Sequence, residues 1–221
     1  MLTLHHQHPW RVTPPEAVSI QQELRRLVIL RGSLEAVRAV VGLDVSFHAG
    51  LARAAAVVYS YPDLKVQEEA TAERAVDFPY VPGLLTFREG PAALAALERL
   101  RASWGVLLCD GQGYAHPRRL GLASHLGVLL DRPSVGCAKS RLVGRHGEVG
   151  EERGAWAPLL DGAEVVGAAL RTRRGVKPVY VSPGHRLDLE SAIALVLACT
   201  RGRRLPEPTR RAHTLAGGED R

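Results

Sequence analysis

The apolar and polar positions of this chain mark out strands first and helices second. Residues 37–47 (VRAVVGLDVSF) and 52–60 (ARAAAVVYS) are apolar segments with Gly50 between them, the pattern of two paired strands. Residues 65–76 (KVQEEATAERAV) alternate and continue the sheet as a third strand. Residues 104–110 (WGVLLCD) stay apolar up to a terminal acid, as a strand covered on both faces does at a sheet centre. Residues 133–140, 164–172 and 178–182 are shorter apolar segments that predict further strands.

Helical spacing runs through Ala17, Ile20, Leu24 and Leu27 within residues 13–30, with Thr13 as N-cap and prolines in the first turn. Residues 90–104 are rich in alanine and leucine and open with Pro91, which predicts a second helix. Residues 119–131 and 188–200 predict two more, the last capped by Asp188. From Arg201 the chain reads as a basic, proline-broken tail. Three antiparallel strands followed by alternating helices and strands predict a mixed sheet covered by helices.

Composition narrows the class. With 221 residues, 46% hydrophobic and 24% charged, the chain has the make-up of one globular domain with a substantial core. No apolar run approaches the roughly 18 residues that a membrane span needs. The opening MLTLHHQHPWRV has no apolar signal-peptide core, so a cytoplasmic protein with no membrane partner is expected, its first ten or so residues and those after His213 loose. Cys109, Cys137 and Cys199 lack metal-ligand spacing and read as buried free thiols. The net charge of +6, carried by 26 arginines among 29 basic residues, admits a polyanionic partner without requiring one.

The densest chemistry lies in residues 110–119, DGQGYAHPRR, directly after the most apolar strand. A carboxylate beside a buried strand is costly unless it is hydrogen-bonded, paired or bound to metal. Asp44 sits inside a strand pattern and Asp110 ends another; on neighbouring strands their oxygens would share a divalent ion such as Mg²⁺ or Mn²⁺. Glu89 reads either as a third ligand or as a carboxylate of a helix start before Pro91. His116 either orients water or phosphate or closes its own turn before Pro117, and Lys139 either neutralises phosphate or is solvated. Pro79 and Pro82 fix φ on both sides of Tyr80 and stiffen residues 79–83.

Five ordered blocks resemble the endonuclease V family of deoxyinosine-specific nucleases. They are GLDVSF (42–47), PYVPGLLTFREGP (79–91), residues 110–140, VSPGHRLDLESA (181–192) and LPEPTRRAH (205–213), spread from about Val12 to His213. The resemblance implies a ribonuclease H-like α/β fold, a mixed central sheet flanked by helices, as a single domain over residues 1–221. It implies a Mg²⁺-dependent DNA repair endonuclease, with Mn²⁺ able to substitute, that hydrolyses the second phosphodiester bond 3′ to deoxyinosine and leaves a 3′-hydroxyl and a 5′-phosphate. Asp44 and Asp110 match the metal-binding aspartates, Glu89 the third catalytic carboxylate, His116 and Lys139 the active-site and phosphate-contacting set, and His213 a histidine near the metal.

Pro79, Tyr80, Val81 and Pro82 match a wedge that enters the nucleic acid at the lesion, and Gly83, Leu85, Gly111 and Gly121 match the backbone of the base pocket. On this reading Gly111 and Gly113 let main chain crowd the base while His116 and Arg118 face phosphate. The partner is deoxyinosine-containing DNA bound by a monomer. Two other readings are carried: a ribonuclease acting on inosine in RNA, and a lesion-binding module that does not cut.

Overall fold

The computed structural model describes residues 2–217. Eight strands form one sheet: β1 (Ala39–His48), β2 (Leu51–Ser60), β3 (Val66–Ala75), β4 (Val106–Cys109), β5 (Ser134–Ala138), β6 (Trp156–Asp161), β7 (Glu164–Leu170) and β8 (Val179–His185). Their spatial order is β3-β2-β1-β4-β5-β8-β7-β6. β1 pairs antiparallel with β2, and β2 with β3, while β4 lies parallel to β1 and β5 parallel to β4. The mixed sheet expected from the hydrophobic pattern is therefore present, with the most apolar strand at its centre.

Among the described residues there are five α-helices, α1 (Pro14–Leu24), α2 (Thr86–Glu98), α3 (Leu122–Leu130), α4 (Leu189–Ala198) and α5 (Glu207–Leu215); α2 to α5 cover the sheet and α1 packs beside α3. The helices α2 and α3 pack with Val41, Leu43 and Leu107 on one face; α4 and α5 pack with Val40, Val106 and Leu108 on the other. This is the α/β arrangement of a ribonuclease H-like fold. No helix among the described residues is long and apolar enough to cross a membrane. The three cysteines are buried free thiols, as expected.

Three elements differ from the sequence pattern. The helix α2 begins four residues before Gly90, so Glu89 lies in its first turn and Pro91 inside it. Gly90 makes this tolerable, because the clash that a proline imposes on the preceding residue involves a Cβ that glycine lacks. β6 is the last strand of the sheet, paired with β7 and bridged by Arg145 at Leu160, a sheet-edge position where Pro158 is tolerated; that proline and the strand's short length hide it in the sequence. The basic, proline-broken tail contains α5, where Pro206 is the N-cap residue and Pro208 sits in the first turn, whose amides have no intrahelical partner.

The chain termini also depart from the loose ends expected. The backbone N–H groups of His5 and His6 donate to the Leu129 carbonyl at 2.8 and 3.3 Å. His8 packs against Trp10, Phe87 and His125, and its Nε2 lies 2.7 Å from His125 Nε2. Trp10 covers Gly90 so closely that a Cβ there would lie 2.3 Å from the indole. Burial of two aromatic rings against α2 outweighs the solvation of a histidine that burial keeps neutral. After His213, α5 continues to Leu215 and Ala216 is buried; the rest of that expectation falls on residues 218–221, outside those described.

A glycine sets the distance between β1 and α5. A Cβ on Gly42 would lie 2.2–2.6 Å from the backbone and Cβ of Pro208, so α5 sits directly on the strand that carries Asp44. Gly42→Ala must push α5 outward and should lower stability by about 1–3 kcal/mol, the usual scale of overpacking. Gly147→Ala, where an added Cβ meets nothing within 4 Å, should stay within about 0.5 kcal/mol of the parent. Urea midpoints at constant slope would show the contrast, and equal midpoints for the two variants would refute it.

Candidate active site

The parallel pairing of β1 and β4 brings two acids together. Leu43 stands opposite Cys109, and the Asp110 N–H donates to the Leu43 carbonyl at 3.0 Å, so Asp44 and Asp110 leave the two strands side by side. Glu89 arrives from α2 and His213 from α5, the helices on opposite faces of the sheet. His213 Nδ1 is 2.6 Å from Asp44 Oδ2, and Lys139 Nζ is 2.6 Å from Asp110 Oδ2.

Burial and close approach raise the proton affinity of two of these carboxyls, Asp44 and Glu89. Burial is the main reason that the Asp44 carboxyl is pushed above its ordinary range; the charge of Asp110 adds to this, and His213 and Lys139 oppose it. Glu89 is pushed up further, again by burial first and then by Asp44 and Asp110. One ligand atom from each of Asp44, Asp110 and His213 lies within 4.8 Å of the others. Two hard carboxylates and an imidazole, short of positive charge, are a donor set that fits a divalent cation such as Mg²⁺ or Mn²⁺.

A cavity of about 410 Å³ opens beside these acids. Glu89, Asp110, His116 and Lys139 line it, together with Tyr80, Val81, Pro82, Gly83, Leu85, Gly111 and Gly121. Asp44, His213 and Pro79 are not among its lining residues, and Pro79 is exposed. Phe78 and Leu84 are buried on either side of the 79–83 loop and anchor it, while Tyr80 stands 72% exposed at its tip. Two proline-fixed φ angles between two apolar anchors account for that projection.

His116 is engaged within the protein as well as lining the cavity. Its Nδ1 accepts from the Arg118 backbone N–H at 3.2 Å, which leaves Nε2 as the donor to the Gly83 carbonyl at 3.0 Å. Both ring nitrogens are occupied, and burial with the nearby Arg118 charge lowers its pKa to about 4. Arg118 also turns inward, donating from Nη2 to the Gly83 carbonyl at 2.6 Å and from Nε to Gln21. Gln21, fully buried on α1, adds a third donor to Gly83 O at 3.1 Å and reaches the Leu120 carbonyl at 3.3 Å. Gly83 adopts a φ of +78°, and these contacts hold its carbonyl away from the cavity that its α-carbon lines.

The glycines of residues 110–121 divide by role. A Cβ on Gly111 would meet only Leu122, at 3.7 Å, so this position borders open space in the cavity. Gly113 instead packs on β8, where a Cβ would lie 2.4 Å from the Pro183 carbonyl oxygen, so it does not crowd a base. Gly121 and Gly136 let backbone of the 110–113 loop lie against α3 and β5. The sequence reading missed Gln21. Its only signal is a polar residue on the apolar side of an amphipathic helix, which does not say what it meets.

The chain is similar to proteins of one family over most of its length. A family model described as endonuclease V matches residues 22–214. An endonuclease V of Trichormus variabilis is 52% identical over 97% of this chain and 99% of its own. The endonuclease V structure from Streptomyces avermitilis superposes with a TM-score of 0.91 at 50% identity, covering 97% of this chain and 96% of that one. Ciona intestinalis endonuclease V (D234N), in complex with a 23mer DNA containing an inosine followed by a ribo-adenosine, gives a TM-score of 0.82 at 33% identity, covering 93% and 97%.

Two predictions concern the Gly83 clamp. Gln21→Leu leaves buried carbonyls short of a donor and should cost about 1–3 kcal/mol in urea unfolding; an unchanged midpoint would contradict the clamp. His116→Gln keeps a donor and an acceptor but cannot titrate. A depressed folded-state pKa means that the unfolded chain takes the proton first, so wild type loses stability as pH falls from about 6.5 towards about 4. Relative to His116→Gln, wild type should lose on the order of 3 kcal/mol across that window, and a pH-independent difference would sink the assignment.

Proposed function

This chain belongs to the endonuclease V family, and on that footing we propose that it is a Mg²⁺-dependent DNA repair endonuclease for deoxyinosine. It binds its DNA as a monomer and hydrolyses the second phosphodiester bond 3′ to the lesion, leaving a 3′-hydroxyl and a 5′-phosphate. The observation that carries this reading is the base-sized cavity opening directly beside three clustered carboxyls, with an exposed tyrosine on its rim.

Asp44 and Asp110, with His213 against Asp44, would hold the ion, with Mn²⁺ as a substitute. When bound, it supplies polarisation of the scissile phosphate and a lowered pKa for attacking water. Lys139, at the mouth of the cavity, offsets charge that builds on phosphate oxygens. Glu89, whose burial favours its protonated form, is placed to exchange a proton with the reacting water or leaving group.

Recognition divides between the wedge and the pocket. Tyr80 takes the space of the extruded nucleotide, and extrusion costs least where pairing is already weak, as at inosine. Hypoxanthine presents an acceptor at O6 and a donor at N1, the reverse of adenine, while guanine adds a 2-amino group that a tight pocket excludes. Backbone groups at Gly83, Leu85, Gly111 and Gly121 read that pattern. His116 acts through Gly83 as a positioning residue. Inosine-containing RNA is a second reading, favoured by the ribo-adenosine that follows inosine in the Ciona complex.

A labelled duplex with one deoxyinosine and its unmodified twin test the proposal, each with Mg²⁺ or EDTA. The expected result is a Mg²⁺-dependent nick displaced to the 3′ side of inosine only. Asp110→Asn should reduce it by more than about 100-fold, beyond the loss typical of residues that merely support metal ligands. Gly111→Val should abolish it while melting like wild type, since the new side chain enters the cavity rather than the core. Equal cutting of both duplexes, or normal inosine cleavage by Gly111→Val, would overturn the pocket reading; selective binding without a nick under any divalent metal would favour the lesion-binding module.

A further inference from the structure

Two loops that the active-site chemistry does not use converge beside Lys139. β8 runs antiparallel to β5, with Tyr180 opposite Ala138, and β7 antiparallel to β8, with Leu170 opposite Val179. The loop of residues 171–178 therefore turns at the same edge of the sheet where β4 and β5 end in Asp110 and Lys139. The loop of residues 199–206, between α4 and α5, is fastened to it by one side chain. Arg204 donates to the carbonyls of Lys177 at 3.0 Å, Pro178 at 2.9 Å and Lys139 at 2.6 Å, and its own carbonyl accepts from Thr172 Oγ1 at 2.7 Å.

These segments, RTRRGVKP and CTRGRRLP, contain seven basic residues and no acid. Several are committed within the protein. Arg171 donates to the Gly150, Val149 and Val176 carbonyls, Arg174 pairs with Glu152 at 3.5 Å, and Arg201 turns to the Asp63 carbonyl. Arg173, Lys177 and Arg203 remain exposed at the joined loops. Cations gathered without acids, on a rigid edge continuous with a phosphate-contacting lysine, match the one polymer whose charge repeats along its length.

We propose that the joined 171–178 and 199–206 loops form a phosphate track for one arm of the nucleic acid, extending the footprint beyond the lesion through Arg173, Lys177 and Arg203. The track rests on the nuclease reading above but not on inosine. It neither cuts nor reads a base; it adds sequence-independent affinity and fixes the direction in which that arm leaves the active site.

Salt dependence of binding measures this directly, because each duplex phosphate neutralised contributes about 0.9 to the slope of log K against log salt. Wild type, Arg173→Ser/Lys177→Ser/Arg203→Ser and a control, Arg38→Ser/Lys65→Ser/Arg101→Ser, would be titrated by anisotropy with Ca²⁺ in place of Mg²⁺. The control removes the same charge from exposed positions at the opposite edge of the sheet. Duplexes would carry inosine with both arms long, with the 5′ arm removed or with the 3′ arm removed, beside an undamaged long duplex.

The track variant should lose about 2–3 units of slope on long duplexes, and the loss should vanish when one particular arm is removed. The control should keep the wild-type slope. Each single substitution should lose about one unit, which keeps the test available if the triple variant does not fold. An unchanged slope, or an equal loss in the control, would overturn the track. Loss of slope on undamaged DNA by a protein without inosine preference would leave the track standing and reject the inosine reading. Inosine preference with an unchanged slope would do the reverse.

Discussion

Like charge held out of water at the junction of β1 and β4 is the constraint around which the rest of the molecule is arranged. Asp44 and Asp110 emerge from adjacent parallel strands, and Glu89 is pressed toward them from α2. Such a cluster is unfavourable in a folded protein unless positive charge reaches it. Two elements answer it: the Lys139 ammonium, just after β5, pairs with Asp110, and α5 lays the His213 ring against Asp44. A divalent cation bound there, as proposed above, would add to that compensation through the same electrostatics.

Close backbone approach makes the arrangement possible. Gly42 lets α5 settle on β1, and Gly136 lets the 110–113 loop lie across β5, where a Cβ would come within 2.3 Å of Gly113 N. On the cavity's other side, Gln21, His116 and Arg118 all donate to the Gly83 carbonyl. That carbonyl ties α1, the loop bearing Tyr80 and the loop after Asp110 into one wall. Three segments thus fix this side of the cavity, and Tyr80 is the most exposed large apolar side chain on its rim.

Outside this centre the chain supports rather than participates. The N-terminal segment straps His8 over Phe87 and Trp10 over Gly90, two residues before and one after Glu89. Burial of Phe87 and Thr86 fixes the same turn from within. Arg204 secures the main chain at Lys139 from a loop more than sixty residues away in sequence. Acids, lysine and pocket glycines thus each rest on a partner that makes no contact with the reacting groups.

Much was legible in the sequence, for local reasons. Strand periodicity, the apolar run before Asp110 and the prolines around Tyr80 each follow from a few consecutive residues, and the carboxyls were marked by their place in strand patterns and by the family resemblance of the blocks that carry them. What the sequence could not decide depends on partners distant along the chain. His116 reads from sequence either as facing water or phosphate or as closing its own turn, and only the fold shows Gly83 and Arg118 as partners of its two nitrogens. Gly113 resembles Gly111, yet one packs on Pro183 and the other borders the cavity. α5 is hidden by prolines that helix starts accept, and Gln21 by lying 62 residues from the carbonyl it holds. Sequence specifies which side chains are present and how the near ones alternate; only tertiary packing decides which lone pair meets which proton, because that choice is made by burial and by distance through space.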